Sequence, residues 1–513
     1  MIQYQTFSLE FQGVEPAGSQ SVIDLKAVFT CQGTAKEVSG FYAGNGRYLV
    51  RFLPQQTGLV RWQVRGLFMA EGEEECLPCT DNVHHGLVKP DGTALRYEDG
   101  TACRPFGTTV YAMMHQPEAR IAQTIRAILD SPFDKVRTCV FPKHYIYNEE
   151  EPERFAFERK AEGGFDFHRP CFAFWDAFET MLETLGNHGV EADLILFHPY
   201  DCWGFSKMTK EEYLPYLTYL LARFAAYPNV WWSLANEYDC MAAFQKEDWD
   251  CIDQFISQTD VYGHMLSCHY MLLPYDYAKE QVTHCSVQGD VTSVDSLMAR
   301  YHKPVLMDEF GYEGNIPCHW GHLSGFELVN RFWICCTLGG YGTHGETFLN
   351  DTDTLWWGKG GELTGKSPAR IGFLKKIIWE LPGALEPVYT KTLTASEIEA
   401  MRQSIKMEEQ DDFVRALLNL PSDQVEQVLQ NIKRDTQIYT GHCGEEAYLA
   451  YYGRHCTAEG TMELPAQGTY RVEVIDVWEM TRKTILTGVN GTIKLTLPGK
   501  EGIAVLAVRE KRD

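Results

Sequence analysis

The chain lacks several features that would place it quickly. No apolar run approaches about 18 residues, so no membrane-spanning helix is expected. Its first stretch, MIQYQTFSLEFQG, has neither a basic start nor an apolar core segment. It does not read as a signal peptide, and cytoplasmic residence is the expectation. Positive charge is scarce, with 46 Lys and Arg against 70 Asp and Glu, a net charge of −24. A surface that acidic repels phosphate backbones and anionic lipids, so neither nucleic acid nor membrane is expected as a partner.

Catalytic signatures of several classes are also missing. No G-x-G-x-x-G opens a helix after a first strand, which argues against a dinucleotide fold. No Gly-x-Ser-x-Gly elbow is present, so an α/β serine hydrolase is not expected. No His-Glu-x-x-His occurs, and the first candidate barrel strand carries no His-x-His pair. His84-His85 lies in a linker without an enclosing shell. The loop Asn350-Asp-Thr-Asp-Thr lacks the glycine and closing glutamate of a calcium loop. Cys76-Leu-Pro-Cys79 has zinc or redox spacing but no second pair at a suitable distance, and is read as loop. No metal or organic cofactor is implied.

What is present is ordinary globular material. Hydrophobic residues make up 44% and charged residues 23%, which excludes a mostly disordered or fibrous chain. At 513 residues, the length suggests three domains, or two if one is a large barrel. Sixteen cysteines are scattered along it, several in apolar contexts (Cys139, Cys285, Cys335, Cys336). In a reducing compartment these are buried free thiols. The 12 tryptophans and 26 tyrosines supply flat apolar faces suited to core packing or to sugar rings.

Four segments are expected. Residues 1–85 alternate in strand fashion around Val22–Phe29, Tyr48–Phe52 and Val60–Val64, with Gly44-Asn45-Gly46 as a hairpin turn and Gly72–Asn82 as an acidic loop. They read as an N-terminal Ig-like β-sandwich. Residues 86–390 alternate short apolar runs with amphipathic helical stretches. Eight candidate strands begin at Phe106, Val136, Ala192, Val230, Met265, Thr283, Val305 and Gly342. This is the pattern of a (β/α)8 TIM barrel, an α/β fold. Residues 391–435 are a helical connector, and residues 436–513 return to alternating strands as a C-terminal β-sandwich.

Barrel enzymes carry their chemistry at the C-terminal ends of the strands. The fourth candidate strand runs into Asn236-Glu237, and the seventh into Asp308-Glu309. Two glutamates therefore face one mouth from opposite sides. Paired carboxylates flanking a bond serve glycoside hydrolysis, one protonated for the leaving oxygen and one ionised for attack. A structural ion-pair cluster is the plainer alternative. Other polar residues end strands as well. Lys143, His144 and Tyr145 follow strand two, and His198, Tyr200 and Asp201 follow strand three. These are expected to bond sugar hydroxyls or to brace the rim. His344 and Glu346 end strand eight, and Glu346 is the nucleophile if the strand count is off by one. Trp356 and Trp357 sit in a glycine-rich loop, where one is expected to form a stacking platform.

The Asn-Glu after strand four with a Glu after strand seven resembles clan A of the glycoside hydrolases, the family-five-like retaining enzymes. That resemblance implies Glu237 as acid/base, Glu309 as nucleophile, Asn236 on the sugar 2-hydroxyl and Arg137 bracing the nucleophile. It places His198, His269 and Gln288 among the residues that bind substrate or orient the nucleophile. The whole chain is similar to a little-characterised group of glycosidases with an Ig-like domain, a barrel and a C-terminal β-sandwich. The matching runs are Gly40-Phe-Tyr-Ala-Gly, Val140-Phe-Pro-Lys-His-Tyr, Leu196-Phe-His-Pro-Tyr-Asp, Trp231-Trp-Ser-Leu-Ala-Asn-Glu-Tyr-Asp, Asp308-Glu309-Phe-Gly-Tyr-Glu-Gly-Asn and Thr343-His-Gly-Glu-Thr.

The expectation is a retaining glycosidase, its carboxyl groups roughly 5–5.5 Å apart, acting on a β-D-glycoside or α-L-arabinoside. A carbohydrate-binding protein on a dead barrel and a metal-dependent barrel hydrolase stand as alternatives. The flanking β-domains are expected to bind glycan, wall the cleft or build a homo-oligomer interface.

Overall fold

The computed structural model describes residues 1–351, 354–388 and 393–510. Thr352 and Asp353 of the acidic loop, and the expected boundary at residues 390–391, lie outside the described residues. Within them the chain divides into two compact units. One holds residues 1–335 and 340–379, the other 336–339 and 380–513.

The first unit opens with a six-stranded antiparallel sheet. Its spatial order is Phe7–Gln12, Arg47–Phe52, Thr34–Tyr42, Leu25–Cys31, Gly58–Gly66, Ala70–Cys76. The long strand Thr34–Tyr42 belongs to both halves. Its first part pairs with Leu25–Cys31, and Gly40–Tyr42 pairs with Arg47–Phe52. The Phe29 and Phe52 rings stack at 4.2 Å between the halves. Gly44, Asn45 and Gly46 all have positive φ and make the expected turn. One expectation is corrected here. Much of the acidic stretch from Gly72 is strand, Ala70–Cys76, paired along Gly58–Gly66. Its glutamates sit on an outer edge, where charge is tolerated and deters further pairing.

The centre of this unit is an eight-stranded parallel barrel. Strands one to eight are Gly107–Thr109, Lys135–Cys139, Glu191–Phe197, Val230–Ala235, Leu266–Ser267, Cys285–Gln288, Val305–Glu309 and Tyr341–His344. The hydrogen-bonded order runs five, four, three, two, one, eight, seven, six. Strands five and six approach across the remaining gap: Thr283 N donates to Leu266 O at 2.8 Å, and Ser267 Oγ to His284 O at 2.6 Å. Strands three and four are buried at every position, which is why apolar residues dominate them, with Glu191, Asp193 and Ser233 as buried polar exceptions. The helices between them bury one stripe each. Phe174, Trp175, Phe178, Met181, Leu182 and Leu185 do so for Phe172–Gly186.

The barrel interior carries a polar plug beneath its mouth. Lys135 Nζ lies 2.7 Å from Asp193 and 3.1 Å from Asp308. Arg137 Nε lies 3.4 Å from Asp193. Ser286 and Thr343 hydroxyls donate to Asp308 at 2.6 and 3.0 Å. Two cations and two anions cancel there, so the plug leaves no net charge buried.

In the second unit, helices Ala395–Ser404, Asp412–Leu418 and Ser422–Thr436 share a small core of Ile398, Leu418 and Val425. They precede a six-stranded antiparallel sheet and the separate strand pair Glu459–Glu463 with Thr492–Thr496. Tyr470, Val472, Ile493, Leu495 and Val505 pack between the two layers.

Candidate active site

A cavity of about 750 Å³ opens at the C-terminal ends of the barrel strands. Strand four delivers Asn236 and Glu237 to its wall, strand seven delivers Glu309, and strand six delivers Gln288. Lys143, Tyr145 and Tyr200 come from the loops after strands two and three, and Trp357 from the segment after strand eight.

Glu237 adopts the left-handed conformation, with φ +55 and ψ +56. A non-glycine residue pays for that geometry, and such residues cluster at functional sites. Here the strained turn is clamped from strand five. His269 Nδ1 accepts the Glu237 backbone N–H at 3.3 Å, and His269 O accepts that of Tyr238 at 3.1 Å. Burial and the Arg137 charge hold the His269 imidazole well below its usual range. It is therefore neutral, with Nδ1 free to accept. The Glu237 carboxylate accepts a short hydrogen bond from the Tyr200 hydroxyl.

Glu309 is held differently. The Tyr111 hydroxyl, just past strand one, donates a short hydrogen bond to it and stands 3.1 Å from Asn236 Oδ1. Arg137 Nη1 lies 3.9 Å behind the Glu309 carboxylate. The Lys143 ammonium sits over the Tyr111, Tyr200 and Trp357 rings at 3.6, 4.2 and 4.6 Å from their centroids. Those rings stabilise a cation through their π faces while excluding water. Burial pushes the Lys143 ammonium down.

The charge balance follows from these neighbours. The plug is neutral, and Arg331 in the outer cavity is paired with Glu327 at 2.7 Å. Among the described residues of the lining, Lys143 is thus the cation left to face two carboxylates. Burial and the adjacent Glu237 push the Glu309 carboxyl up to about 7, against the opposing pull of Arg137, Lys143 and the Tyr111 hydroxyl. The neighbouring Glu237 thus makes ionisation of Glu309 harder, as a like charge does.

Of the sequence-derived candidates, Lys143, Tyr145, Tyr200, Asn236, Glu237, Gln288, Glu309 and Trp357 meet in this cavity. Gln288 Oε1 has no hydrogen-bond partner among the described residues and is free to accept from a ligand. The remaining candidates lie off the wall. Arg137 sits beneath Glu309 as a brace. His269 clamps a backbone. His198 bonds Phe141 O at 3.2 Å within the rim. Asp201 accepts the N–H groups of Trp203, Gly204 and Ser206 and so builds its own loop. His144 packs against Trp203. His344 stacks on Phe133 at 4.4 Å and pairs with Thr108. Glu346 accepts the Thr364 N–H at 2.8 Å. Trp356 donates its indole N–H to Thr108 at 2.9 Å, inside the barrel wall. The expected loop around the two tryptophans is instead a buried helical turn, Trp356–Lys359.

The sequence reading missed Tyr111, whose Val-Tyr-Ala setting looks like core, and Trp320, which faces Trp357 with ring centroids 5.0 Å apart. Away from the barrel, Cys79, Asp81 and His84 bring donor atoms within 4.8 Å of one another. The Asp81 oxygens there accept the Val83 and His84 N–H groups, the His84 ring and Gln5, so the group acts as a loop clip.

The family model for the apiosidase-like catalytic domain matches residues 90–348. Two domains of unknown function flank it, DUF5060 over residues 1–66 and DUF5605 over residues 436–508. A candidate glycoside hydrolase of Bacteroides vulgatus ATCC 8482 is 30% identical, with 99% of each chain covered and a TM-score of 0.84. A protein described as a glycoside hydrolase is 13% identical over 84% of this chain and 98% of its own, with a TM-score of 0.61. A family 5 glycoside hydrolase of B. vulgatus is also 13% identical, over 83% and 93%, with a TM-score of 0.59. These last two share the fold. No curated protein sequence matches the chain. Matched across its barrel by one family model, and end to end by a relative at 30% identity, the chain belongs to the apiosidase-like family of the glycoside hydrolases.

Proposed function

We propose that the protein is a retaining glycoside hydrolase with Glu309 as nucleophile and Glu237 as acid/base. The observation that carries this reading is the pair itself: two carboxyl groups from opposite strand ends, in one cavity. Double displacement needs one of them protonated and the other ionised. Glu309 attacks the anomeric carbon while Glu237 protonates the departing oxygen. Glu237 then deprotonates the water that releases the sugar. Arg137 and Lys143 stand on the Glu309 side, so they favour the ionised form there as the proton passes to Glu237. Gln288 and Asn236 are placed for ring hydroxyls, and Trp320, Trp357 and Tyr145 for the apolar face of a sugar.

The substrate class is a β-D-glycoside or α-L-arabinoside, and the family description adds glycosides of apiose to those worth testing. Sixteen free thiols suit the reducing interior proposed as its site of action.

The test is a nitrophenyl glycoside screen of wild type, Glu237→Ala and Glu309→Gly with added azide. Rescue giving an inverted glycosyl azide from Glu309→Gly, and a retained one from Glu237→Ala, supports the assignment. The opposite configurations exchange the roles. Sugar binding without turnover across natural glycans would replace the enzyme with a carbohydrate-binding barrel.

A further inference from the structure

Three consecutive apolar residues stand in the open beside the catalytic pair. Met271, Leu272 and Leu273 are 37%, 83% and 63% exposed. They form a tongue after strand five, and Met271 and Leu272 line the same cavity as Glu237. Contiguous exposed apolar surface of this kind marks a site of contact.

The tongue is fixed rather than loose. The two Asp239 carboxylate oxygens accept the backbone N–H groups of Met271, Leu272 and Leu273, each at 2.8 Å. Hydrogen bonds to an ionised acceptor are among the strong ones. Cys240 Sγ also touches Met271 Sδ at 3.5 Å. Asp239 lies two residues past Glu237, so the loop that presents the acid/base also presents the tongue.

Lys143, Asn236 and Gln288 line the cavity with the carboxylates. Met271 and Leu272, with Val291 and Ile334, add apolar side chains to a lining that also holds Asp290, Thr292 and the Arg331–Glu327 pair. In a retaining glycosidase the acid/base faces the leaving oxygen, so the residues joined to it border the leaving group.

We propose that the tongue binds an apolar aglycone, and that the natural substrate is a glycoside of an alkyl or aryl alcohol rather than of another sugar. The inference rests on the assignment of Glu237 as acid/base.

The test is an n-alkyl glycoside series, methyl to octyl, of whichever sugar the screen finds. Simple alkanols are leaving groups of nearly equal acidity, so chain length reports contact and not chemistry. From methyl to octyl, kcat/KM is expected to rise about tenfold or more, since each methylene removed from water favours binding severalfold. Leu272→Ser, an exposed change that the fold tolerates, should bring octyl to within about threefold of methyl. Calorimetry on Glu309→Gln with methyl and octyl glycosides of the same sugars gives a readout independent of turnover. Octyl binding about tenfold tighter, and lost in Leu272→Ser, supports the aglycone site even if wild type hydrolyses nothing; that result would sink the glycosidase reading alone. Equal binding of methyl and octyl, or no binding of either, overturns the aglycone proposal. A flat series joined to Leu272-dependent pelleting with phosphatidylcholine vesicles also overturns it and assigns the tongue to a lipid surface.

Discussion

The Tyr111 hydroxyl donates to the Glu309 carboxylate across the mouth of strand eight, strand one reaching to strand seven. That bond favours the ionised glutamate, as a hydrogen bond to a charged form does. Tyr111→Phe is expected to lower kcat/KM by about 10- to 100-fold, the worth of one hydrogen bond to a charged group. It should also move the acid limb of the pH profile upward, because Glu309 then protonates more readily. A profile that keeps its acid limb would show that Tyr111 only fills space.

Glu309 also makes a stability prediction. Its carboxyl is raised from an ordinary 4.5 to about 7, chiefly by burial. A group that binds its proton more tightly when folded adds stability below its unfolded value, and loses it as pH rises through its folded value. Wild type is thus expected to weaken between about pH 4.5 and 7. Glu309→Gln removes the buried charge, so it should be more stable than wild type by on the order of 2 kcal/mol at about pH 8. The difference should shrink toward pH 5. Denaturant titrations at the two pH values read this directly. A pH-independent difference would place the proton elsewhere.

His269 is expected to matter without touching substrate. Removing its ring in His269→Ala leaves the Glu237 N–H without its acceptor, at about 1–3 kcal/mol. The strained turn can then relax. Urea unfolding should show the loss of stability, and activity should fall further than that loss explains at temperatures where the variant is fully folded. Full activity in a folded His269→Ala would mean that the turn holds itself.

Trp320 borders the cavity and makes no hydrogen bond to either glutamate. Stacking contacts of this kind contribute about 0.5–1.5 kcal/mol. Trp320→Ala should raise KM about 3- to 10-fold with kcat little changed, the pattern of a contact made equally in the ground and transition states. A fall in kcat instead would place Trp320 at the reacting end of the cavity.

Much of this molecule was legible in its sequence. The barrel strands are buried on both faces, and runs such as Ala192–Phe197 and Val230–Leu234 announce that by being mostly apolar, with one polar residue each, Asp193 and Ser233. Glu237 and Glu309 stand where such runs stop, and a run's end is a local property. The acidic strand Ala70–Cys76 was hidden because an edge strand needs no apolar signature.

Which strand-end side chain reaches the cavity is decided at another level. His198, His269, His344 and Glu346 all end or follow strands, and so do Lys143 and Gln288. Only packing against distant segments separates wall from rim: Phe133 takes the ring of His344, Phe141 O takes His198, and the strained backbone of Glu237 takes His269. Tyr111 shows the same in reverse, an apolar-looking residue whose hydroxyl finds Glu309 only when strands one and seven enclose one space. Pattern along the chain determined the barrel and the two glutamates. Tertiary structure decided their partners and the raised carboxyl of Glu309, because burial and electrostatic fields are sums over neighbours that the linear order does not bring together.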